Sequence, residues 1–424
     1  MQDRVLFLSW CPPDLLRPRA IQVGRAAKAI AARGWKPDLV CAALDLRLED
    51  DLVDADLLGV YGRFFGQIER IPDSNFGPRA EADQIADRPS GFLAPFSANR
   101  QSVSWSQGAA DAALRRIRRH DISVLISFGQ PWASHMAALA VKRHRPGIQW
   151  VAHFSDPWTD NPYLRLSDEA FEAARADERA IVEAADALVF VTQQTADLVM
   201  AKYPEDWRSK VRTIPHLLDD DVLARVKPVP RNDRRVRLVH AGSLYDGQRA
   251  PIGLFDALQR LRVGGVRPEQ LEIRFVGDMP ASLARHISDM GLAEYVSWTT
   301  SLYYLPSLAE MLAADATMVI DAAFETSPFL PSKIIDYLML DHPIVGLTGN
   351  SSATAALLSE IGYPVAEPLD VVSIVRLLQK FLSEERGIMM TDSHRTARES
   401  YSLSTGGRHY TSLFQSLLRE DRSA

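Results

Sequence analysis

Short apolar runs separated by stretches of helical periodicity set the pattern of this chain from its start. Val5-Leu6-Phe7-Leu8 is apolar at every position, which predicts a strand covered on both faces, as in a parallel sheet. Ser9 to Arg19 reads as a loop. Ile21, Ala27, Ile30 and Ala31 then fall on one helical stripe that stops at Gly34, and Asp38 to Ala42 is the next strand. Strand, loop, helix and strand in this order predict a right-handed parallel unit whose loop lies at the ligand-bearing edge of the sheet. The alternation continues with strands at Ile122–Ser127, Trp150–Phe154, Ala187–Val191 and Val211–Pro215, and with helices at Ser104–His120, Glu169–Ala185 and Gln193–Tyr203. Between Glu49 and Arg100 it weakens, with prolines at 72, 78, 89 and 95. Lys227 to Asp233 combines proline and charge without an apolar stripe and reads as a linker. Strands follow at Val236–Ala241, Leu271–Gly277, Tyr295–Trp298, Thr317–Ile320 and Ile344–Leu347, with helices at Pro251–Arg262, Val371–Glu384 and Thr405–Leu418.

The pattern predicts an α/β chain of two Rossmann-like, doubly wound domains, at 1–225 and 226–400, with a helical segment at 401–424. A length of 424 residues agrees, since one hydrophobic core rarely supports so long a chain. Composition adds exclusions. Apolar content of 46 %, charged content of 24 % and a net charge of −6 are those of an ordinary globular protein with no overall pull toward nucleic acid. Cys11 and Cys41 are too few for a disulfide framework. No signal peptide and no apolar run near 18 residues is read, so the expectation is a cytoplasmic protein, with peripheral contact at the inner face of a membrane left open. HExxH, paired CxxC, GxSxG and Walker A patterns do not occur.

Candidate chemistry gathers at the predicted loop edges. His153 ends a strand and Asp156 follows it by three residues, the position where open α/β sheets carry their sites, although a strand-end histidine is often structural. Arg17 and Arg19 occupy the first loop, either as ligand contacts or as solvated side chains paired with the acids near Asp50. The run Arg115-Arg116-Ile117-Arg118-Arg119-His120 suits a helix C-terminus and equally an anionic bilayer. Gly242 to Arg249 joins a strand to a helix, a geometry suited to an anion but also that of a plain tight turn. Pro331 reads as the start of a two-turn helix with Lys333 in its first turn and Asp336 three residues on. Cation and carboxylate so placed suit a nucleoside diphosphate, one for the phosphates and the other for the ribose hydroxyls.

Pro331-Ser332-Lys333-x-x-Asp336-Tyr337-Leu338 followed by Asp341-His342-Pro343-Ile344-Val345 resembles the donor-site signature of retaining nucleotide-sugar glycosyltransferases of the GT-B fold. The resemblance implies two domains facing a cleft, with a C-terminal helix returning toward the first. It implies a donor site on the second domain, at Gly242, Ser243, Arg249, Gly277, Glu325, Phe329, Leu330, Lys333 and Asp336. Asp336 stands where that family usually has Glu. Pro328 stands where it commonly has a second Glu, for which Glu325 or the amides of Phe329 and Leu330 would substitute. Ser243 replaces an expected Arg, and Arg249 stands near a Lys position. Catalysis would fall to His153, Asp156, Arg249 and Lys333, with neither metal nor cofactor beyond the nucleotide-sugar co-substrate. The implied reaction moves a sugar to a saccharide or lipid-linked acceptor, in cell-surface polysaccharide or glycoconjugate synthesis. A nucleotide-sugar epimerase of the same fold and a catalytically inactive nucleotide-binding scaffold are the alternatives.

Overall fold

The computed structural model describes residues 3–43, 53–73, 103–383 and 392–421, apart from 163, 165, 243, 245–249, 323–326 and 328. The chain divides into two compact units, Met1–Leu217 with Ser402–Ala424, and Leu218–Tyr401. The sequence reading put the boundaries at 225/226 and 400/401.

Unit 1 is built on seven parallel strands: β1 (Arg4–Leu8), β2 (Lys36–Ala43), β3 (Ile68–Pro72), β4 (Val124–Phe128), β5 (Gln149–Phe154), β6 (Ala187–Phe190) and β7 (Val211–Thr213), in the order β3-β2-β1-β4-β5-β6-β7. The continuous apolar runs follow from this arrangement, because helices cover both faces. Leu6 and Leu8 pack with Val40, Trp105 and Trp150 on one face, whereas Val5 and Phe7 pack with Leu39, Ile126 and Phe414 on the other. Two elements lie in the segment where the pattern weakened. The helix Ala55–Tyr61 is capped by Asp54, whose side chain accepts from the Asp56 and Leu57 amides, and β3 takes the sheet edge, where Pro72 removes no needed donor. The rest of that segment, up to residue 102, lies outside the described residues.

The C-terminal helix Leu403–Asp421 belongs to unit 1 and closes on the helix Pro18–Ala31. Gly406 and Gly407 permit the approach. A Cβ at Gly407 would lie 2.5 Å from the Ala29 carbonyl oxygen, and one at Gly406 2.2 Å from the Leu217 side chain.

Unit 2 carries six parallel strands: β8 (Val236–Ala241), β9 (Leu271–Val276), β10 (Val296–Thr299), β11 (Ala316–Ile320), β12 (Ile344–Leu347) and β13 (Val365–Ala366), in the order β10-β9-β8-β11-β12-β13. In both sheets the order reverses beside the first strand, between β1 and β4 and between β8 and β11. Such switch points open a crevice at the C-terminal strand ends. Among the described residues no helix is long and apolar enough to cross a membrane, and no three His, Cys, Asp or Glu side chains converge as metal ligands do.

Candidate functional site

At the switch point of unit 2, β8 ends in His240-Ala241 and the chain turns at Gly242 with φ of +129°, a conformation that L side chains rarely adopt. A Cβ there would stand 2.4 Å from Lys333 Nζ. Lys333 opens the helix Lys333–Leu338, and its Nζ lies 3.2 Å from His240 Nε2. The other ring nitrogen, Nδ1, lies 2.9 Å from the Met318 carbonyl oxygen, so Nδ1 carries the proton and Nε2 offers its lone pair to the ammonium. His240 is buried. Tyr304 donates its hydroxyl to Asp336 Oδ1 at 3.0 Å and fixes that carboxylate. The buried Tyr337 hydroxyl accepts from the Ala241 amide at 2.9 Å, which ties the helix to the end of β8.

The helix begins two residues later than Pro331. The Pro331 and Ser332 carbonyls accept from the Ile334 and Ile335 amides at 3.0 and 3.1 Å. These first-turn amides are therefore engaged by the backbone, and the Lys333 ammonium is the cationic contribution of this segment. Gly277 follows β9 and donates its amide to the Thr299 carbonyl at 3.2 Å. Phe329 and Leu330 have buried side chains, so their part in a site is through the main chain. Asp321, buried after β11, accepts from the Thr348 and Thr354 hydroxyls at 3.2 and 3.1 Å. Ser243, Arg249, Glu325 and Pro328 lie outside the described residues.

At the switch point of unit 1 the loop expected to run to Arg19 ends earlier, because Pro18 starts the helix with a φ that already suits its first turn. Arg19 is thereby carried inward instead of facing solvent. Its Nη1 donates to Gln22 Oε1 at 2.8 Å and to Ser155 Oγ at 2.6 Å, and its Nη2 donates to Gln130 Oε1 at 3.0 Å. Burial pulls the guanidinium below its ordinary value, against the opposing field of Asp156. Gln130, at φ +64°, turns its amide nitrogen to Asp156 and so stands between the two charges. Gln22 Nε2 also reaches His216 Nε2 at 3.2 Å.

His153 sits at the end of β5, buried beside Phe128 with ring centroids 5.1 Å apart. Its Nδ1 finds no partner beyond its own backbone, and it makes no hydrogen bond to Asp156. Burial first, and Arg19 second, hold it well below the ordinary histidine range, and the same causes bring His135 and His216 to about 3. All three are neutral imidazoles near neutral pH. The helix Val103–His120 spends part of its basic run internally, since Arg116 pairs with Glu69 at 2.8 Å and Arg115 with the same carboxylate at 3.2 Å.

Residues 20–222 match the family model described as Glycosyltransferase Family 4. Sucrose-phosphate synthase from Thermosynechococcus elongatus superposes with a TM-score of 0.67 at 16 % identity, over 99 % of this chain and 100 % of that one. The lipopolysaccharide outer core galactosyltransferase WaaB in its apo form gives 0.62 at 11 %, over 97 % and 99 %. The chain has the GT-B fold of these structures. A UDP-N-acetylglucosamine 2-epimerase shares this GT-B fold, with a TM-score of 0.55 at 12 % identity over 97 % of this chain and 95 % of that one. A comparison of the sequence with curated proteins gives no match. Within the GT-B frame, sequence reading missed His240, Tyr304, Gln22 and His216. His240 carried the same signal as His153, a histidine at the C-terminal end of a parallel strand, here directly before Ala241-Gly242.

Proposed function

We propose that this chain transfers a sugar, with retention, from a nucleoside diphosphate sugar to a hydroxyl of a saccharide or lipid-linked saccharide, as glycoconjugate or polysaccharide synthesis requires. The observation that carries the reading is Lys333, set against Gly242 and held by neutral His240, with the Tyr304-oriented Asp336 one turn further along the same helix. Lys333 would neutralise charge that develops on the departing diphosphate, and Asp336 would accept from the ribose hydroxyls. Arg249 would supply a second cation, and Gly242, Ser243, Gly277, Glu325 and the main chain of Phe329 and Leu330 would complete the donor site. The bond from the anomeric carbon to the donor phosphate breaks as the bond to the acceptor oxygen forms, and the acceptor proton passes to a phosphate oxygen. Most of the catalysis is then positional and electrostatic. Unit 1 would present the acceptor, with neutral His153 and the Gln130-held Asp156 as its polar contacts.

Calorimetric titration with UDP, GDP and ADP, with and without magnesium, tests this. One diphosphate should bind without metal, and Asp336→Ala should weaken it by about 1–3 kcal/mol, the worth of a hydrogen bond to a charged acceptor. His153→Gln should leave that affinity unchanged while lowering turnover. Absence of binding to all three nucleotides would remove the donor site. Epimerisation of a UDP-sugar with no acceptor present would select the alternative that the epimerase likeness favours.

A further inference from the structure

We propose that Arg19 is the receptor for an oxyanion, a phosphate or carboxylate, on the acceptor bound by unit 1. The inference rests on the reading of unit 1 as the acceptor side. Three other buried charges among the described residues meet opposite charges. Asp38 has Arg4 at 2.8 Å, Glu178 has Lys202 at 2.6 Å and Glu272 has Arg237 at 2.6 Å. Arg19, only 6 % exposed, meets none. Its hydrogen-bond partners are the neutral Gln22, Ser155 and Gln130.

A guanidinium has five N–H donors. Three are used here, which leaves Nε–H and one Nη2–H, and Nε has no partner. A guanidinium presents such donors as a planar fork that matches two oxygens of one anion. Burying a charge without a counter-charge is costly, and the usual compensation is a pair. Gln130 prevents the internal one, since it accepts from Arg19 and donates to Asp156. The surroundings keep the field of Arg19 unspent, because His135, His153 and His216 stay neutral around it. The residues come from the ligand-bearing edge: Arg19 and Gln22 follow β1, Gln130 follows β4, Ser155 follows β5 and His216 follows β7. Gln130 also holds a left-handed backbone angle that a glutamine rarely adopts.

The test titrates inorganic phosphate, and separately acetate, into the full chain whose donor site is already saturated with its nucleoside diphosphate. The wild type should bind at least one of the two anions, and the preferred one distinguishes phosphorylated from carboxylated acceptors. Arg19→Gln should lose that binding by at least tenfold. Should Arg19→Gln fail to fold, Arg19→Lys keeps the charge without the fork and should bind several-fold more weakly, with nucleotide affinity unchanged as proof of folding. Equal anion affinity in wild type and variant, or no anion binding by a wild type that still binds nucleotide, would overturn the inference alone. Loss of nucleotide binding by the wild type would instead overturn the functional reading beneath it.

Discussion

The two units solve the same placement problem with cations of opposite character. In unit 2 the cation is Lys333, half-buried, on a six-residue helix beside a glycine turn. Its contact to His240 is to a ring nitrogen that brings no opposite charge. In unit 1 the cation is Arg19, buried at the first turn of a long helix and enclosed by neutral amides and imidazoles. Both lie where the strand order reverses, so position follows from topology, whereas the chemistry follows from what surrounds the charge. A half-buried lysine suits a ligand that arrives with its own solvation and leaves again. An enclosed guanidinium suits a group read by shape as much as by charge.

Acid should separate the units most strongly. Burial and Arg19 hold His135 and His216 neutral down to about 3, whereas an unfolded histidine takes its proton near 6.5. Between those values the unfolded chain binds protons that the folded one refuses, so stability is lost as pH falls. The slope is about 1.4 kcal/mol per pH unit for each histidine, on the order of 5 kcal/mol for the pair from pH 6.5 to 4.5. Urea unfolding across that range should show it, and His216→Gln should flatten the slope by one histidine's share. An unchanged slope in the variant would mean that His216 is protonated in the folded state.

A smaller effect sharpens the description of unit 2. Lys333→Ala should weaken a nucleoside diphosphate by about 2–3 kcal/mol, in the range of a charged hydrogen bond, and the parent nucleoside hardly at all. Equal losses for both ligands would take Lys333 away from the phosphates. Smallest of all, Tyr304→Phe removes only the hydroxyl that orients Asp336. It should lower nucleoside and diphosphate affinity alike, by about 0.5–1.5 kcal/mol. If titration finds no loss, Asp336 is fixed by other contacts.

What the sequence disclosed follows the same division. The strands of both sheets were legible because a parallel strand covered on both faces is a continuous apolar run, as in Val5–Leu8 and Ile344–Leu347. The placement of Lys333 and Asp336 on one helix was legible because the two are close in sequence. The Arg19 cluster was not, since Arg19, Gln22, Gln130, Ser155 and His216 come from four separate stretches that only the sheet brings together. Gln130 and Gln22 carry no charge, and nothing in a sequence distinguishes a glutamine that bridges two charges from one in solvent. The late start of the helix at Lys333 was also hidden, because Pro331 satisfies the rule for a first helical residue yet sits in the turn before it.

The glycine pair at 406 and 407 has a consequence for how the molecule is made. Tyr410, Leu413, Phe414 and Leu417 complete one core layer of unit 1, and the close approach at those glycines lets them in. On the ribosome these residues emerge only after all of unit 2 has been synthesised. The first unit to begin is therefore the last to be finished, and Val5, Phe7 and Val23 wait with one face of their layer open while their neighbour folds.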